Sequence, residues 1–322
     1  MVKKVSVCMP TYNQEAYIEQ AINGVLQQEG CDLELIIAND GSTDNTYSIC
    51  KGYQEKFPDK IKLINQSHNK GLIENTKECI LASSGIYIAI CEGDDYWIDP
   101  LKLKKQVSIL DNDPAVSMVH SNWVNYYENQ ARFVPRVISE KKYICESQNG
   151  RESVEEIMME TYRGIRFSSI CFRKDEFLKA YTDDPLLFSP LYSTCDISLF
   201  YELAYRGRLY YLNEVTTVYR IQNESVSITS NQDKKIGFTK GVLYLQVHFI
   251  DKYKLSDRVR DKVFRNRYQL LLPYALHQSD IELAGELKDL AKKFDYKLRF
   301  SQLLCYWGCK NRILKKAITT II

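Results

Sequence analysis

Apolar residues in the first third of the chain follow two spacings that alternate along the sequence. Short apolar runs of strand length are separated by segments in which apolar residues recur every three to four positions, the spacing of one helix face. The apolar runs predict strands at residues 5–9, 33–38, 61–64, 86–90 and 115–119. The helical spacing predicts helices that begin near Ile18, Leu72 and Pro100, with Pro100 as the first helical residue. This alternation predicts a mainly parallel sheet with helices on both faces.

Polar clusters follow three of these strands at the point where each strand ends. They are Thr11-Tyr12-Asn13, Asp40-Gly41-Ser42 and the acidic run from Glu92 to Asp95. Right-handed crossovers bring the carboxyl ends of parallel strands to one edge of the sheet. Open α/β sheets bind ligands at that edge, so the three clusters together predict one ligand site.

The acidic run Glu92-Gly93-Asp94-Asp95 supports two interpretations. Adjacent carboxylates repel each other unless a positive charge lies between them, and Mg²⁺ commonly bridges one or two carboxylates to a diphosphate. The other interpretation is an acidic turn that is simply solvated. We take Asp94 and Asp95 as candidate ligands of Mn²⁺ or Mg²⁺ because polar clusters also follow the neighbouring strands.

The later part of the chain has a different pattern. A helix is predicted from Asp196 to a stop at Gly207, followed by short strands at 209–212 and 215–221. Residues 232–322 have mainly helical spacing. The sequence therefore predicts that the alternating α/β pattern gives way to helices.

Length and composition are those of an ordinary globular protein. At 322 residues the chain has room for one large or two modest domains. We predict one domain at 1–230 and a mainly helical region at 231–322. A net charge of +2 argues against nucleic acid as a partner.

The cysteines, the histidines and the amino-terminal residues bear on zinc binding and on the cellular location. No CxxC occurs among the 10 cysteines, and none of the 4 histidines is paired at zinc-like spacing, so we predict no zinc site and a reducing cytosol. Met1 leads directly into a strand, and no apolar stretch approaches about 18 residues. We therefore expect no signal peptide, no transmembrane helix and a cytoplasmic location.

Basic and apolar residues alternate in the final segment. Its cations are Lys292, Lys293, Lys297, Arg299, Lys310, Arg312, Lys315 and Lys316. One interpretation is an amphipathic segment that lies on an anionic membrane as a peripheral contact. The other is a surface helix docked on its own domain, and the sequence leaves both open.

Five segments occur in a fixed order along the chain. They are Val7 to Asn13, Asn39 to Asp44, Asn69-Lys70-Gly71 with Asn75, Glu92 to Trp97, and Thr194-Cys195-Asp196 with Tyr219-Arg220. Together they resemble the motifs of the inverting nucleotide-sugar glycosyltransferases of family 2, strongly over residues 3–115 and more weakly over 165–227. The resemblance implies an α/β fold: a Rossmann-like nucleotide-sugar-binding mixed sheet flanked by helices (the glycosyltransferase A fold), with a mainly helical C-terminal extension.

The resemblance also implies roles for individual residues. The donor would be bound by Pro10, Thr11, Tyr12, Asn13, Asp40, Lys70, Gly71 and Asp94. In this scheme residues 1–230 form a catalytic domain, with its donor half at 1–118 and its acceptor half at 119–230. Asp40 contacts the uracil-ribose end, and Asp94 and Asp95 hold the metal. Asp196 matches the base that takes a proton from the acceptor hydroxyl. Asp is also a favoured residue at a helix N-cap, so the alternative for Asp196 is a purely structural role as the cap of its helix.

The function implied is transfer of a sugar, with inversion, from a nucleotide donor such as a UDP-sugar. The acceptor would be a glycan or a lipid-linked oligosaccharide in bacterial surface polysaccharide synthesis. One alternative is a nucleotidyltransferase that forms sugar nucleotides, although this usually needs a Gly-rich, Arg-containing loop after the first strand. Another is a non-catalytic carbohydrate-binding protein on the same fold, although this predicts loss of the acidic residues. Neither GxxxxGK[ST] nor GxGxxG occurs, which excludes P-loop and dinucleotide-binding enzymes.

Overall fold

The computed structural model describes residues 4–135, 150–159, 164–222 and 231–318. The chain divides into two compact units. The first is Met1–Pro190 with Thr194–Asn223, and the second is Leu191–Ser193 with Glu224–Ile322.

The first unit alternates strands and helices through its amino-terminal half. Its strands are β1 (Val5–Thr11), β2 (Leu33–Asn39), β3 (Ile61–Asn65), β4 (Tyr87–Ile90), β5 (Tyr96–Trp97), β6 (Val116–Tyr127), β7 (Arg132–Pro135), β8 (Ile170–Arg173) and β9 (Arg208–Ile221). Its helices are α1 (Ile18–Leu26), α2 (Thr46–Lys56), α3 (Leu72–Leu81), α4 (Lys102–Asn112), α5 (Gly150–Met158), α6 (Lys174–Asp183) and α7 (Asp196–Arg206). The strands and helices predicted for the first third are therefore present.

The strands form one mixed sheet in the order β3-β2-β1-β4-β8-β6-β9-β5, with β7 paired to β6. The first four of these strands run parallel. β8 is antiparallel to β4 and β6, whereas β6 and β9 run parallel. The strand order reverses at β1, which has β2 on one side and β4 on the other, so the carboxyl ends of these three strands meet at one edge. The prediction of a Rossmann-like mixed sheet flanked by helices is confirmed.

The core explains why the central strands are continuous apolar runs. β1 is buried along its whole length. Val7 belongs to the same apolar cluster as Ile22 of α1 and Leu103 of α4. On the other face, the Cys79 thiol of α3 donates to the Ile36 carbonyl at 3.2 Å. A strand that is covered on both faces has no place for a polar side chain except at its ends.

Two boundary predictions for the first unit are wrong. The region predicted as two strands is the single strand β9, whose pairing with β6 continues through register shifts near Asn122. Backbone pairing thus carries the strand across Asn213 and Glu214, which interrupt the apolar pattern. Pro100 is not the first helical residue, because α4 begins at Lys102. Pro100 lies in the preceding turn, where its carbonyl accepts from the amide of Glu29 at 2.9 Å.

The second unit is mainly helical, as predicted. Its helices are α8 (Gln232–Tyr253), α9 (Asp257–Gln278), α10 (Ile281–Lys293), α11 (Phe300–Lys310) and α12 (Arg312–Ile318). Phe264 of α9 stacks on Tyr296 with ring centroids 4.8 Å apart, and the Tyr268 hydroxyl donates to the Leu287 carbonyl at 2.6 Å. None of the described helices has the length and apolarity that a membrane crossing requires.

Candidate functional site

The acidic loop between β4 and β5 packs against the end of β1. The amide of Gly93 donates to the Pro10 carbonyl at 3.3 Å, and the amide of Asp95 donates to the Glu92 carbonyl at 3.0 Å. A Cβ atom at position 93 would lie 2.8 Å from the Thr11 hydroxyl oxygen. A glycine is therefore needed for this close approach, which brings the acidic loop onto the polar end of β1.

Arg220 of β9 fixes the backbone of the same loop. Its amide donates to Asp95 Oδ1 and its Nε donates to the Asp94 carbonyl, both at 2.9 Å. Its other guanidinium nitrogens donate to Glu128 Oε2 at 2.6 Å and to Gln20 Oε1 at 2.7 Å. The side chain is only 6% exposed. Arg220 thus holds the position of the loop without forming an ion pair with its carboxylates.

Burial raises the pKa of all three carboxyl groups of the loop. The pKa of Asp95 is raised to about 8, first by burial and then by the negative charge of Asp94. Burial also raises the pKa of Asp94, although the nearby Arg220 charge opposes the rise. The pKa of Glu92 is raised well above its usual value by burial and by the charges of Asp95 and Asp94. A cation bound among these groups would favour their ionised forms.

The acidic loop also has suitable donor atoms for a hard cation. Oδ2 of Asp95 is buried and has no hydrogen-bond partner among the residues that the structure describes, and such an atom requires an explanation. Asp94 is half-buried, and its Oδ2 accepts from Gln222 Nε2 at 3.2 Å. Across the described ranges, no group of three or more His, Cys, Asp or Glu side chains could hold a metal ion. The loop therefore fits Mg²⁺ or Mn²⁺ bound through one or two carboxylates, with water and diphosphate oxygens completing the shell.

The loop after β1 is bonded to the loop after β2. Asn13 has a φ of 52°, a left-handed conformation in which Asn is enriched. Its Oδ1 accepts from the Thr43 amide at 2.8 Å, and its amide donates to Ser42 Oγ at 2.9 Å. Thr11 is buried, whereas Tyr12 is 42% exposed. Asn13 therefore connects the two loops, and Tyr12 presents its ring to solvent.

Asp40 organises the segment that precedes α3. Its Oδ1 accepts from the Lys70 amide at 2.8 Å and its Oδ2 accepts from the Gly71 amide at 2.9 Å. Gly71 has a φ of 90°, which favours glycine. The Lys70 ammonium forms an ion pair with Glu78 at 2.7 Å. The Asp40 carboxylate thus holds backbone amides, and the Lys70 side chain is directed to a carboxylate on α3.

Asp196 is the first residue of α7, and Cys195 occupies the N-cap. The Ile197 amide donates to Asp196 Oδ1 at 2.7 Å, and the Thr194 hydroxyl donates to the same oxygen. Both bonds use Oδ1, so they leave Oδ2 for another partner. Burial raises the pKa of Asp196, and the bonds from Thr194 and Ile197 oppose the rise. A raised pKa brings a carboxylate closer to the range of an effective general base.

Arg166 is a site residue that the sequence pattern did not reveal. Its guanidinium carbon lies 3.9 Å from the centroid of the Tyr219 ring and 5.3 Å from that of Trp123. Its Nε is buried, and no described residue forms a hydrogen bond with it. Its positive charge lowers the pKa of both Asp196 and Glu92, against the larger effect of burial. Arg166 therefore places a positive charge near Asp196 and Glu92.

Ser168 is a second residue that sequence reasoning missed. Its Oγ accepts from the Glu92 amide at 3.0 Å, and its carbonyl accepts from Trp97 Nε1 at 2.7 Å. It lies in the 3-10 turn Phe167–Ser169, which carries neither strand nor helix periodicity. No local signal identifies such a residue, because its role depends on contacts with a loop more than 70 positions earlier.

The predicted site residues form two adjoining groups. Asp94, Asp95 and Asp196 belong to one group, in which the negative charge of Asp196 also raises the pKa of Glu92. The other group contains Pro10, Thr11, Tyr12, Asn13, Asp40, Lys70 and Gly71. Thr11 joins the two groups, because its carbonyl accepts from the Asp40 amide at 2.9 Å and a Cβ atom added at Gly93 of the acidic loop would lie 2.8 Å from its hydroxyl oxygen.

Two curated relatives share substantial sequence with the chain. It is 31% identical over 232 residues to the uncharacterized protein Rv1520 of Mycobacterium tuberculosis, covering 72% of this chain and 62% of that protein. The chain therefore spans less than two thirds of that relative's length. It is also 35% identical over 106 residues to the "Putative teichuronic acid biosynthesis glycosyltransferase TuaG" of Bacillus subtilis, covering 33% of this chain and 41% of TuaG.

Solved structures share the fold at low identity. TarS (1-349) of S. aureus in complex with UDP-GlcNAc superposes with a TM-score of 0.60 and 17% identity, over 95% of this chain and 79% of that one. The mannosyltransferase PcManGT of Pyrobaculum calidifontis, in complex with GDP-Man and Mn²⁺, superposes with a TM-score of 0.56 and 16% identity. The superposition covers 98% of this chain and 87% of that one. These likenesses confirm the predicted glycosyltransferase A-like fold.

The family assignment depends on a match to the amino-terminal half of the chain. The model of the family described as "Glycosyl transferase family 2" matches residues 6–171, about half of the sequence. That range includes the end of β1, the loop after β2 and the acidic loop, which are the elements that the structure brings together. The chain belongs to glycosyl transferase family 2.

Proposed function

We propose that the protein is a metal-dependent, inverting glycosyltransferase that uses a nucleotide sugar. The observation that carries the proposal is the buried Oδ2 of Asp95, which lies beside Asp94 at the carboxyl edge of the sheet and has no partner within the described ranges. Asp196 belongs to the same electrostatic group, and its Oδ2 is not used by the two hydrogen bonds that hold its Oδ1. These observations support a cation site near a candidate base, the arrangement that suits transfer of a sugar from a nucleoside diphosphate to a hydroxyl.

The donor is proposed to be a UDP-sugar bound at the loops after β1 and β2. Asp40 and the segment Pro10 to Asn13 would contact the uridine, and Lys70 with Gly71 would border the same pocket. The UDP-GlcNAc complex of TarS supports a uridine donor. The GDP-Man complex of PcManGT keeps a guanosine donor as the alternative to test.

The residues at and around the acidic loop have three parts in the proposed reaction. A cation held by Asp94 and Asp95 would act as a Lewis acid and offset the charge that grows on the departing diphosphate. Arg220 keeps the loop in place through the Asp94 carbonyl. Asp196 takes the proton of the acceptor hydroxyl at Oδ2, while Thr194 and Ile197 keep its Oδ1 fixed.

The acceptor is proposed to be a glycan or a lipid-linked oligosaccharide in bacterial surface polysaccharide synthesis. The name of TuaG, which refers to teichuronic acid biosynthesis, supports this class of acceptor. We further propose a cytoplasmic location with peripheral contact to an anionic membrane. The basic character of the final segment supports that contact.

Calorimetric titration with UDP, GDP and dTDP, with and without Mn²⁺, tests the donor site. Wild type is expected to bind UDP more tightly with Mn²⁺, and Asp94→Asn is expected to lose that metal-dependent gain. Asp59→Asn is the matched control, because Asp59 is an exposed residue in the turn after α2. If none of the nucleotides binds, the donor-site argument fails and a scaffold role is favoured.

A second variant separates binding from catalysis. Asp196→Asn is expected to bind UDP as wild type does but to transfer sugar at least about 100-fold more slowly, because the general base is lost. The product from an α-linked donor should have the β configuration when its anomeric proton is examined by NMR. Retention of configuration, or full activity of Asp196→Asn, would contradict the inverting mechanism.

A further inference from the structure

Helix α11 of the second unit turns apolar side chains toward solvent. Phe300 is 71% exposed and Trp307 is 46% exposed, and Leu303 and Leu304 between them are half-buried. Residues three, four and seven positions apart share one face of a helix, so these four side chains form a stripe. The solvent-facing side of a surface helix is ordinarily polar, and this stripe contains no polar residue.

The opposite face of α11 is packed into the core of the second unit. Cys305, Tyr306 and Cys309, on the opposite side of α11, are buried. A Cβ atom at position 308 would meet a Leu276 methyl at 2.5 Å, so Gly308 permits close packing of α11 on α9. The inner face thus anchors α11 in the second unit, and the outer stripe is an additional apolar surface.

Positive charge surrounds the stripe. Lys297 and Arg299 precede it, Lys310 follows it, and all three are exposed. Residues 296–318 contain six Lys or Arg and no Asp or Glu. Ile313, at the start of α12, is 85% exposed within this basic segment. Exposed apolar side chains are therefore combined with a cationic border.

We propose that this surface docks on an anionic phospholipid bilayer. The proposed docking surface comprises Phe300, Leu303, Leu304 and Trp307 of α11, and we assign to it the exposed Ile313 of α12. Aromatic and aliphatic side chains enter the headgroup region, and the cationic border attracts anionic lipids. A second copy of this chain is a poorer occupant, because two identical basic borders would repel each other. The proposal assigns residues to the membrane contact put forward with the proposed function, and it rests on that function in that docking would bring the enzyme to a lipid-linked acceptor.

Tryptophan fluorescence gives a direct test, because the other two tryptophans are buried. Trp97 and Trp123 are 3% and 2% exposed, so a change in emission on lipid binding reports on Trp307. With the full chain, vesicles of phosphatidylcholine and phosphatidylglycerol should shift the emission to shorter wavelength, and added salt should reverse the shift. Vesicles of phosphatidylcholine alone should have little effect. Trp307→Phe should abolish the shift while the protein still sediments with the anionic vesicles.

Paired serine substitutions test the surface itself. Phe300→Ser combined with Ile313→Ser should lower vesicle affinity by at least about tenfold, because two apolar side chains no longer enter the bilayer. Ile281→Ser is the matched control, since Ile281 is also an exposed apolar residue of this unit, at 52%, but lies on α10. Its vesicle affinity should equal that of wild type.

Two results would overturn the proposal. One is a failure of wild type to bind anionic vesicles. The other is equal binding by wild type and the double serine variant. If sedimentation equilibrium also shows a lipid-free dimer that the double variant disrupts, a second copy occupies the surface instead. Nucleotide binding is measured on the same proteins, so vesicle binding without UDP binding would leave the docking surface in place and count against the proposed function alone.

Discussion

Replacement of Arg220 by Met should destabilise the first unit far more than the same change at Arg208. Both arginines lie on β9, and each pairs with a carboxylate. The Arg220 side chain is 6% exposed, whereas the Arg208 side chain is 31% exposed and pairs with Asp113. The two variants therefore compare a buried and a half-exposed guanidinium on one strand.

The expected magnitude follows from the three side-chain hydrogen bonds of Arg220. The bond to the Asp94 carbonyl contributes about 1.5 to 3 kcal/mol, because its donor is charged. The bonds to Glu128 and Gln20 contribute about 0.5 to 1 kcal/mol each, since both partners are accessible to water. Arg220→Met should therefore lower the free energy of unfolding by about 2.5 to 5 kcal/mol, and Arg208→Met by less than about 1 kcal/mol.

Urea denaturation measures both losses, and calorimetry measures the consequence at the site. Because Arg220 holds the Asp94 carbonyl, Arg220→Met should also lose most of the Mn²⁺-dependent part of UDP binding. Arg208→Met should retain it. Equal losses of stability in the two variants would refute the free energies assigned to the hydrogen bonds of Arg220. Wild-type metal dependence in a folded Arg220→Met protein would refute the role of Arg220 in positioning the loop.

Three further predictions concern Lys102, a pair of helix glycines and Arg166. Burial lowers the pKa of Lys102 from 10.5 to about 8, so the unfolded chain binds more protons between those pH values. Any stability that Lys102→Met gains over wild type should therefore shrink by about 3 kcal/mol as the pH rises through that window, as measured by urea titrations. A stability difference between the two proteins that does not change with pH would contradict this. Gly24→Ala should cost about 1 to 3 kcal/mol, because the added carbon would lie 2.8 Å from the Trp97 carbonyl oxygen. Gly52→Ala, with open space in α2, should instead add about 0.5 to 1 kcal/mol, and thermal unfolding should give opposite signs. Arg166→Gln should weaken UDP binding about tenfold and leave uridine binding unchanged if Arg166 contacts the diphosphate, and equal losses for both ligands would exclude that contact.

The amino-terminal half could be predicted from sequence because its signals are local. β1, β2 and β4 are buried and therefore apolar, and the polar residues that follow them lie at one edge for topological reasons. The acidic loop was identified because it follows such a strand directly.

The remainder of the site depends on contacts between distant segments. Arg220 reaches a loop about 125 positions earlier, and Arg166 is held by the Tyr219 and Trp123 rings. β9 remains one strand because β6 pairs with it across a polar interruption. None of these contacts leaves a periodic pattern in the residues that make them.

The sequence by itself determined the alternation of strands and helices, the position of the acidic loop and the basic character of the final segment. These properties follow from which residues are apolar or charged and from their spacing. Only the tertiary structure decided which oxygen of Asp95 lacks a partner, which oxygen of Asp196 its helix leaves unused, and which face of α11 meets solvent. Burial and hydrogen-bond satisfaction are properties of atoms brought together from distant positions, so they exist only once the chain has folded.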